Sequence, residues 1–131
     1  MSTDQQSSAV TIARAHVEAW SKQDFDAARS MLAPDVRVTA VTTAPYPPDT
    51  DLTGTDEYMT GLVAYAGPIV PGSVEVLSAV GDKNSALLTL SLRMAGGPFG
   101  AGVSAPCARL YQIDEQGKIK AERIVFFVAA G

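Results

Sequence analysis

The chain has 131 residues, 47% of them hydrophobic and 18% charged, with a net charge of −4 at pH 7 and a pI near 4.8. That length supports one compact domain over residues 1–131, and an acidic balance without clustered Lys or Arg excludes a nucleic-acid partner. No run approaches the roughly 20 apolar residues of a bilayer span, and the polar start MSTDQQSS lacks the layout of a secretory leader, so no membrane partner and a cytoplasmic location are expected.

After a frayed N-terminal tail, Ala9, Ile12, Ala13, His16, Val17 and Trp20 recur at helical spacing. They predict a first helix running to about Ser21 with one stripe facing the interior. Arg14 and Glu18 pair at i, i+4 on its outer side. His16 is the only histidine in the chain, and it lies on the inward stripe. Either a partner satisfies the ring in an ordinary core, or the interior is partly hollow and the ring faces a ligand.

DFDAARSMLAP predicts a short second helix with Asp24 as N-cap, an apolar face of Phe25, Ala28, Met31 and Leu32, and Pro34 as the stop. Val36, Val38 and Ala40 then alternate with polar positions in a first strand. TTAPYPPDTDLTG is too rich in proline to sustain a ladder and reads as a loop, a lid candidate over an edge or a cavity mouth. TGTDEYMTGLVAYAGP predicts a third helix, capped by Thr, with two acids at its positive end and a stop at Gly67-Pro68. Tyr58, Leu62 and Tyr65 line up along one side of it.

The remainder reads as strands. SVEVLSAVG, SALLTLSLRM, GVSAPCARLYQI and KIKAERIVFFV are separated by DKN, AGGPFG and DEQG, each a plausible turn. GGPFGAG lacks the Gly-Lys-Ser/Thr ending of a phosphate loop and is read as a hairpin tip. The predicted class is α+β, with three helices grouped on one face of a curved antiparallel sheet.

That order of elements, together with VEAWSKQDFDAARSMLAPDVRV, LTGTDEYMTGL and YQIDEQGKIKAERIVFF, resembles the nuclear-transport-factor-2-like superfamily. Its branches include ketosteroid isomerases, SnoaL-like polyketide cyclases and limonene-epoxide hydrolases. The resemblance implies a cone: a strongly bent sheet wrapped around the three helices, enclosing an apolar pocket, in a protein that forms a homodimer. It also allows the site residues of those relatives to be compared one at a time. The isomerase tyrosine corresponds to His16, its proton-moving aspartate to Ala40, and its protonated aspartate to Arg109. The epoxide hydrolase aspartate corresponds to Ile124. Steroid isomerisation by the isomerase mechanism is therefore disfavoured, and an alkyl group at position 124 cannot activate water.

If DEQG is a four-residue turn, Tyr111 faces Lys120 and Arg109 faces Glu122 across the last hairpin. The resemblance puts Arg109, Glu122, Cys107, Ile124 and Phe126 on the concave side, beside His16. Strict alternation would put Lys118 and Lys120 on the same face, which requires a rim position or a bulge near Ala121.

The catalytic reading gives His16 proton exchange, Arg109 stabilisation of an enolate or alkoxide, and Glu122 the orienting of Arg109. The pocket would then be lined by Trp20, Val38, Ala40, Tyr58, Leu62, Cys107, Tyr111, Ile124 and Phe126. The competing reading makes Arg109 and Glu122 a cross-strand ion pair and His16 a satisfied core histidine. A single histidine without a carboxylate cluster offers no metal site, and no cofactor is implied. The function classes left are a lyase or isomerase acting by proton transfer next to a carbonyl, a binding or accessory protein for a small apolar or carbonyl-bearing molecule, and a dimerisation module.

Overall fold

A computed structural model describes residues 8–42, 50–95 and 106–126 of the chain. The predicted tail, residues 43–49 of the lid candidate, the tip at 96–102, and residues 103–105 and 127–128 of the strands predicted after it lie outside the described residues.

Helix α1 spans Ser8–Ser21 and buries Ala9, Val10, Ala13, His16, Val17 and Trp20, the predicted stripe with Ile12 moved to its margin. Helix α2 spans Phe25–Ser30, and the Asp24 carboxylate accepts the Ala27 N–H. Pro34 is not its stop. The helix has already ended, and strand β1 begins at Leu32 and runs to Thr42. Pro34 falls where the register of β1 shifts between Leu32 and Arg37, an irregular place where a strand tolerates a missing N–H.

Strand β2, Thr50–Thr53, pairs antiparallel with β1, so the end of the predicted loop does form a ladder. The prolines stop at Pro48, which leaves TDLT its full set of N–H donors. Arg37 adds a two-point contact to the Asp51 carboxylate at 3.1 and 2.8 Å. Helix α3 spans Thr55–Ala66, and its N-cap is Gly54 at φ 92°, without a side-chain cap. In place of the predicted threonine cap, Glu57 reaches back to accept the Thr53 N–H at 3.0 Å. Strands β3 (Glu75–Gly81), β4 (Ser85–Ser91), β5 (Cys107–Ile113) and β6 (Ile119–Phe126) complete the described elements.

The six strands form one sheet in the order β2-β1-β6-β5-β4-β3. The expected antiparallel cone is corrected here. β1 and β6 run parallel, so the sheet is mixed, and it is open, neither closed nor strongly curled. The physical reason is the edges: β2 and β3 end the sheet on opposite sides, and the four-residue β2 pairs only with β1. Helix α1 packs on β3, β4 and β5, whereas α3 packs on β1 and β2. The core lies between this helical layer and the sheet face below it.

Candidate functional site

The last hairpin decides which side chains face the helices. Ile113 pairs with Ile119 rather than Lys118, because Asp114 closes the turn one residue later, its N–H bonded to the Lys118 carbonyl at 2.8 Å. The register then shifts at Gln112/Ile113, so that Tyr111 pairs with Glu122 and Arg109 with Ile124. The bulge expected near Ala121 is present, and it turns Lys118 and Lys120 outward while Glu122 faces in. The expected direct opposition of Arg109 and Glu122 is not formed; they meet diagonally, a separation that long side chains span.

Three rows of side chains result on the helix-facing side. Val38, Glu122, Tyr111 and Ala86 form one; Ala40, Ile124, Arg109 and Leu88 the next; Phe126, Cys107 and Leu90 the third. Helix α1 lowers His16 and Trp20 onto these rows, and α3 lowers Tyr58, Leu62 and Tyr65. All the predicted site residues are buried except Ala40, which is half-buried. Val38, Leu62 and Ile124 belong to the hydrophobic core around them.

Glu122 is the hub. One carboxylate oxygen, Oε1, accepts the Tyr58 hydroxyl. The other, Oε2, accepts Arg109 Nη1 at 2.5 Å. The Tyr111 hydroxyl lies close enough to Glu122 for its charge and weak hydrogen bonding to raise the Tyr111 pKa, but outside good hydrogen-bond geometry. The Arg109 guanidinium carbon sits 4.9 Å from the centroid of the Trp20 ring and 5.1 Å from that of Tyr65, a cation–π setting on two sides. His16 packs edge-on against Tyr58 and Tyr111, with centroids 5.9 and 6.1 Å apart.

Burial sets the protonation states. It lowers the His16 pKa from 6.5 to about 4, a shift that Glu122 opposes and Arg109 reinforces; the imidazole is neutral at pH 7. Burial, and then the charge of Glu122, push the Tyr58 and Tyr111 hydroxyls well up, so both stay donors. Burial works against the Arg109 cation, but Tyr65, Cys107 and Glu122 around it outweigh that effect and hold its pKa high.

The arrangement is not a finished core. Among the described residues, both His16 ring nitrogens, Trp20 Nε1, the Tyr65 and Tyr111 hydroxyls, and Arg109 Nε and Nη2 are buried without a hydrogen-bond partner. An unsatisfied buried polar group costs about 1–3 kcal/mol. Five of the seven atoms belong to Arg109, Trp20, Tyr65 and Tyr111, so they gather around one guanidinium. Tyr65, whose ring stacks on Arg109, joins this cluster without having been among the candidate pocket residues; its alignment with Tyr58 and Leu62 along α3 was the available signal.

Residues 13–122 match the family model of the SnoaL-like domain. The chain belongs to that family and has the nuclear-transport-factor-2-like fold. Similar solved structures include a Kribbella flavida DSM 17836 protein, 27% identical, with a TM-score of 0.73 over 92% of this chain and 88% of that one. A Mycobacterium tuberculosis protein in complex with estradiol-17beta-hemisuccinate is 14% identical, with a TM-score of 0.73 over 90% and 92% of the two chains. An LEH-like epoxide hydrolase of Mycobacterium tuberculosis is 20% identical, with a TM-score of 0.68 over 91% and 82%. No curated protein matches the sequence. No helix among the described residues is long and apolar enough to cross a membrane.

Proposed function

We propose that the cluster around Arg109 binds a small, largely apolar molecule through a carbonyl-type oxygen, and that His16 moves a proton next to that carbonyl in an isomerisation, cyclisation or elimination. The observation that carries this reading is the set of buried donors left without partners around Arg109. Arg109 Nε and Nη2, Trp20 Nε1 and the two tyrosine hydroxyls all have hydrogens to give, and an oxygen acceptor answers them.

In this reading the neutral His16 accepts the proton from the carbon beside the carbonyl. The electron pair moves into the enolate, whose oxygen is held by the donors around Arg109, and His16 then returns the proton to a different carbon. Glu122 holds Arg109 in place. Its two oxygens are engaged by Tyr58 and Arg109, so it positions rather than attacks. Two structurally similar proteins, one bound to a steroid ester and one an epoxide hydrolase, support the expectation that this fold accommodates apolar ligands.

One observation favours a second reading, a binding protein without chemistry: an imidazole with a pKa of about 4 is a weak base at pH 7. A thermal-shift screen against ketones, polyketide fragments and steroids tests the shared premise. A ligand is expected to raise Tm, and Trp20→Ala or Phe126→Ala to weaken its uptake through lost apolar contact. The absence of any stabilising ligand would remove both readings. His16→Ala separates them, because it abolishes turnover in the first and leaves uptake intact in both.

The reading includes a homodimer. The sheet face away from the helices is covered by no described element and exposes Val41, Leu77, Val80 and Leu87, an apolar surface suited to a second copy.

A further inference from the structure

We propose that the free edge of Arg109 is a two-point site for a carboxylate, so that the bound molecule carries a planar carboxylate on its apolar body. The inference rests on the reading of this cluster as a ligand site and names the chemical class of its ligand.

A guanidinium offers its donors along distinct edges, and each edge can match the two oxygens of a carboxylate. In Arg109 one nitrogen, Nη1, is taken by Glu122 at 2.5 Å. The Nε and Nη2 donors, which share the opposite edge, are buried, and the Tyr65 hydroxyl that lies near Arg109 does not close a hydrogen bond of good geometry with either. Their direction is fixed. Trp20 and Tyr65 hold the guanidinium carbon 4.9 and 5.1 Å from their ring centroids, those two rings contact each other edge-on at 5.8 Å, and Glu122 ties the remaining side. A fork locked in this way is pre-organised for one planar partner.

The balance of donors and acceptors separates the possible occupants. Water donates as readily as it accepts, so a water cluster here would need acceptors of its own. Those on offer are the tyrosine oxygens and one nitrogen of neutral His16, whereas Arg109, Trp20, Tyr65 and Tyr111 present a surplus of hydrogens. A lone carbonyl oxygen engages the fork at one point. A carboxylate accepts at both oxygens and donates nothing, which answers the fork and leaves lone pairs for the indole and hydroxyl donors. The Arg109–Glu122 pair is neutral as a unit, so a carboxylate here competes with Glu122 for the cation, and the remaining sides of the buried guanidinium face the Trp20 and Tyr65 rings.

The test compares two probes of the same shape, 2-naphthoate and methyl 2-naphthyl ketone, by calorimetric titration at pH 7. Naphthoate is expected to bind at least tenfold more tightly to the wild-type protein. Arg109→Lys, which keeps the charge and removes the fork, should bring the two probes within about threefold of each other, with the circular dichroism spectrum showing whether the variant is folded. Glu122→Gln should widen the preference for naphthoate, because it strips the cation of its counter-ion; a purely structural role for Arg109 predicts no such gain. If Arg109→Lys does not fold, the wild-type and Glu122→Gln comparisons decide. Equal binding of both probes, or tighter binding of the ketone, overturns the carboxylate assignment and leaves the carbonyl-binding reading standing. Binding of neither probe overturns both.

Discussion

His16 converts its own burial into a pH dependence. Its folded pKa of about 4 lies below its ordinary 6.5, so between those values the unfolded chain binds more protons than the folded one. Stability is therefore fully present above about pH 6.5 and is lost as the pH falls toward 4. Urea denaturation should show a loss of about 2 kcal/mol between pH 7 and pH 5, at roughly 1.4 kcal/mol per pH unit inside the window. His16→Phe should flatten the slope. Asp51 and Asp82 do not interfere, since their pKa values are lowered from 3.8 by the Arg37 and the Asn84 and Ser85 contacts respectively, and they act below this range. An unchanged slope in the variant would assign the titration to another group. Arg109 and Glu122 make a second residue-scale test. Arg109→Met leaves a buried carboxylate with Tyr58 alone and should cost about 3–5 kcal/mol, whereas Arg109→Met combined with Glu122→Gln should recover most of that loss in the same denaturation experiment.

Elements tolerate added atoms unequally, and two glycines show why. A Cβ on Gly81 would lie 2.4 Å from the Ser85 carbonyl oxygen and 2.9 Å from the Ala86 Cα. Both are backbone atoms of the β3–β4 pair, where the start of α1 also docks by the Ala9 N–H on the Asp82 carbonyl. Gly81→Ala should cost about 2–3 kcal/mol and lower Tm, as overpacking against backbone does. Gly61→Ala in α3 meets only the tip of Leu52 at 2.7 Å, and the helix-propensity gain of about 1 kcal/mol from Gly to Ala should leave Tm nearly unchanged. A larger loss from Gly61 than from Gly81 would contradict the packing described for both. Legibility in the sequence divides along the same line of local against distant contacts. The α1 stripe was legible because a period of 3.6 needs no partner, and the bulge near Ala121 was legible because Lys120 and Glu122 could not share a buried face. The pairing of Arg109 was not legible, since it depends on whether the last turn closes at Lys118 or Ile119. Nor was the parallel β1–β6 contact, which joins segments far apart in the chain. The proposed site residues lie together because they face one layer, and the contact of Tyr65 with Arg109 was not legible because nothing local distinguishes an aromatic that stacks on a cation from one that fills the core.

At the scale of the molecule, the two faces of the sheet have different chemistry. One is covered by the three helices, and the other presents Val80, Leu87 and Leu110 in one cross-strand line that ends at Arg123 and Thr39, and Ala108, Val125 and Val41 in the next, which starts at Ser78 and Thr89. Val80 is 62% exposed and Leu77 57% exposed, high values for side chains that gain by leaving water. Six strands about 4.8 Å apart and about seven residues long span on the order of 600 Å2 before side-chain relief. That is close to the roughly 800 Å2 per partner of a standard stable interface. A second copy related by a two-fold axis through this face would set the apolar stretch of each line against its equivalent, with the polar ends at the rim, which is the self-complementary contact of an isologous dimer. Sedimentation velocity should therefore give a dimer at micromolar concentration. Leu87→Lys combined with Val80→Lys should give a monomer whose circular dichroism is unchanged, because both side chains point away from the core. A wild-type protein that sediments as a monomer, or a double variant that remains dimeric, would show that this face does not join the subunits.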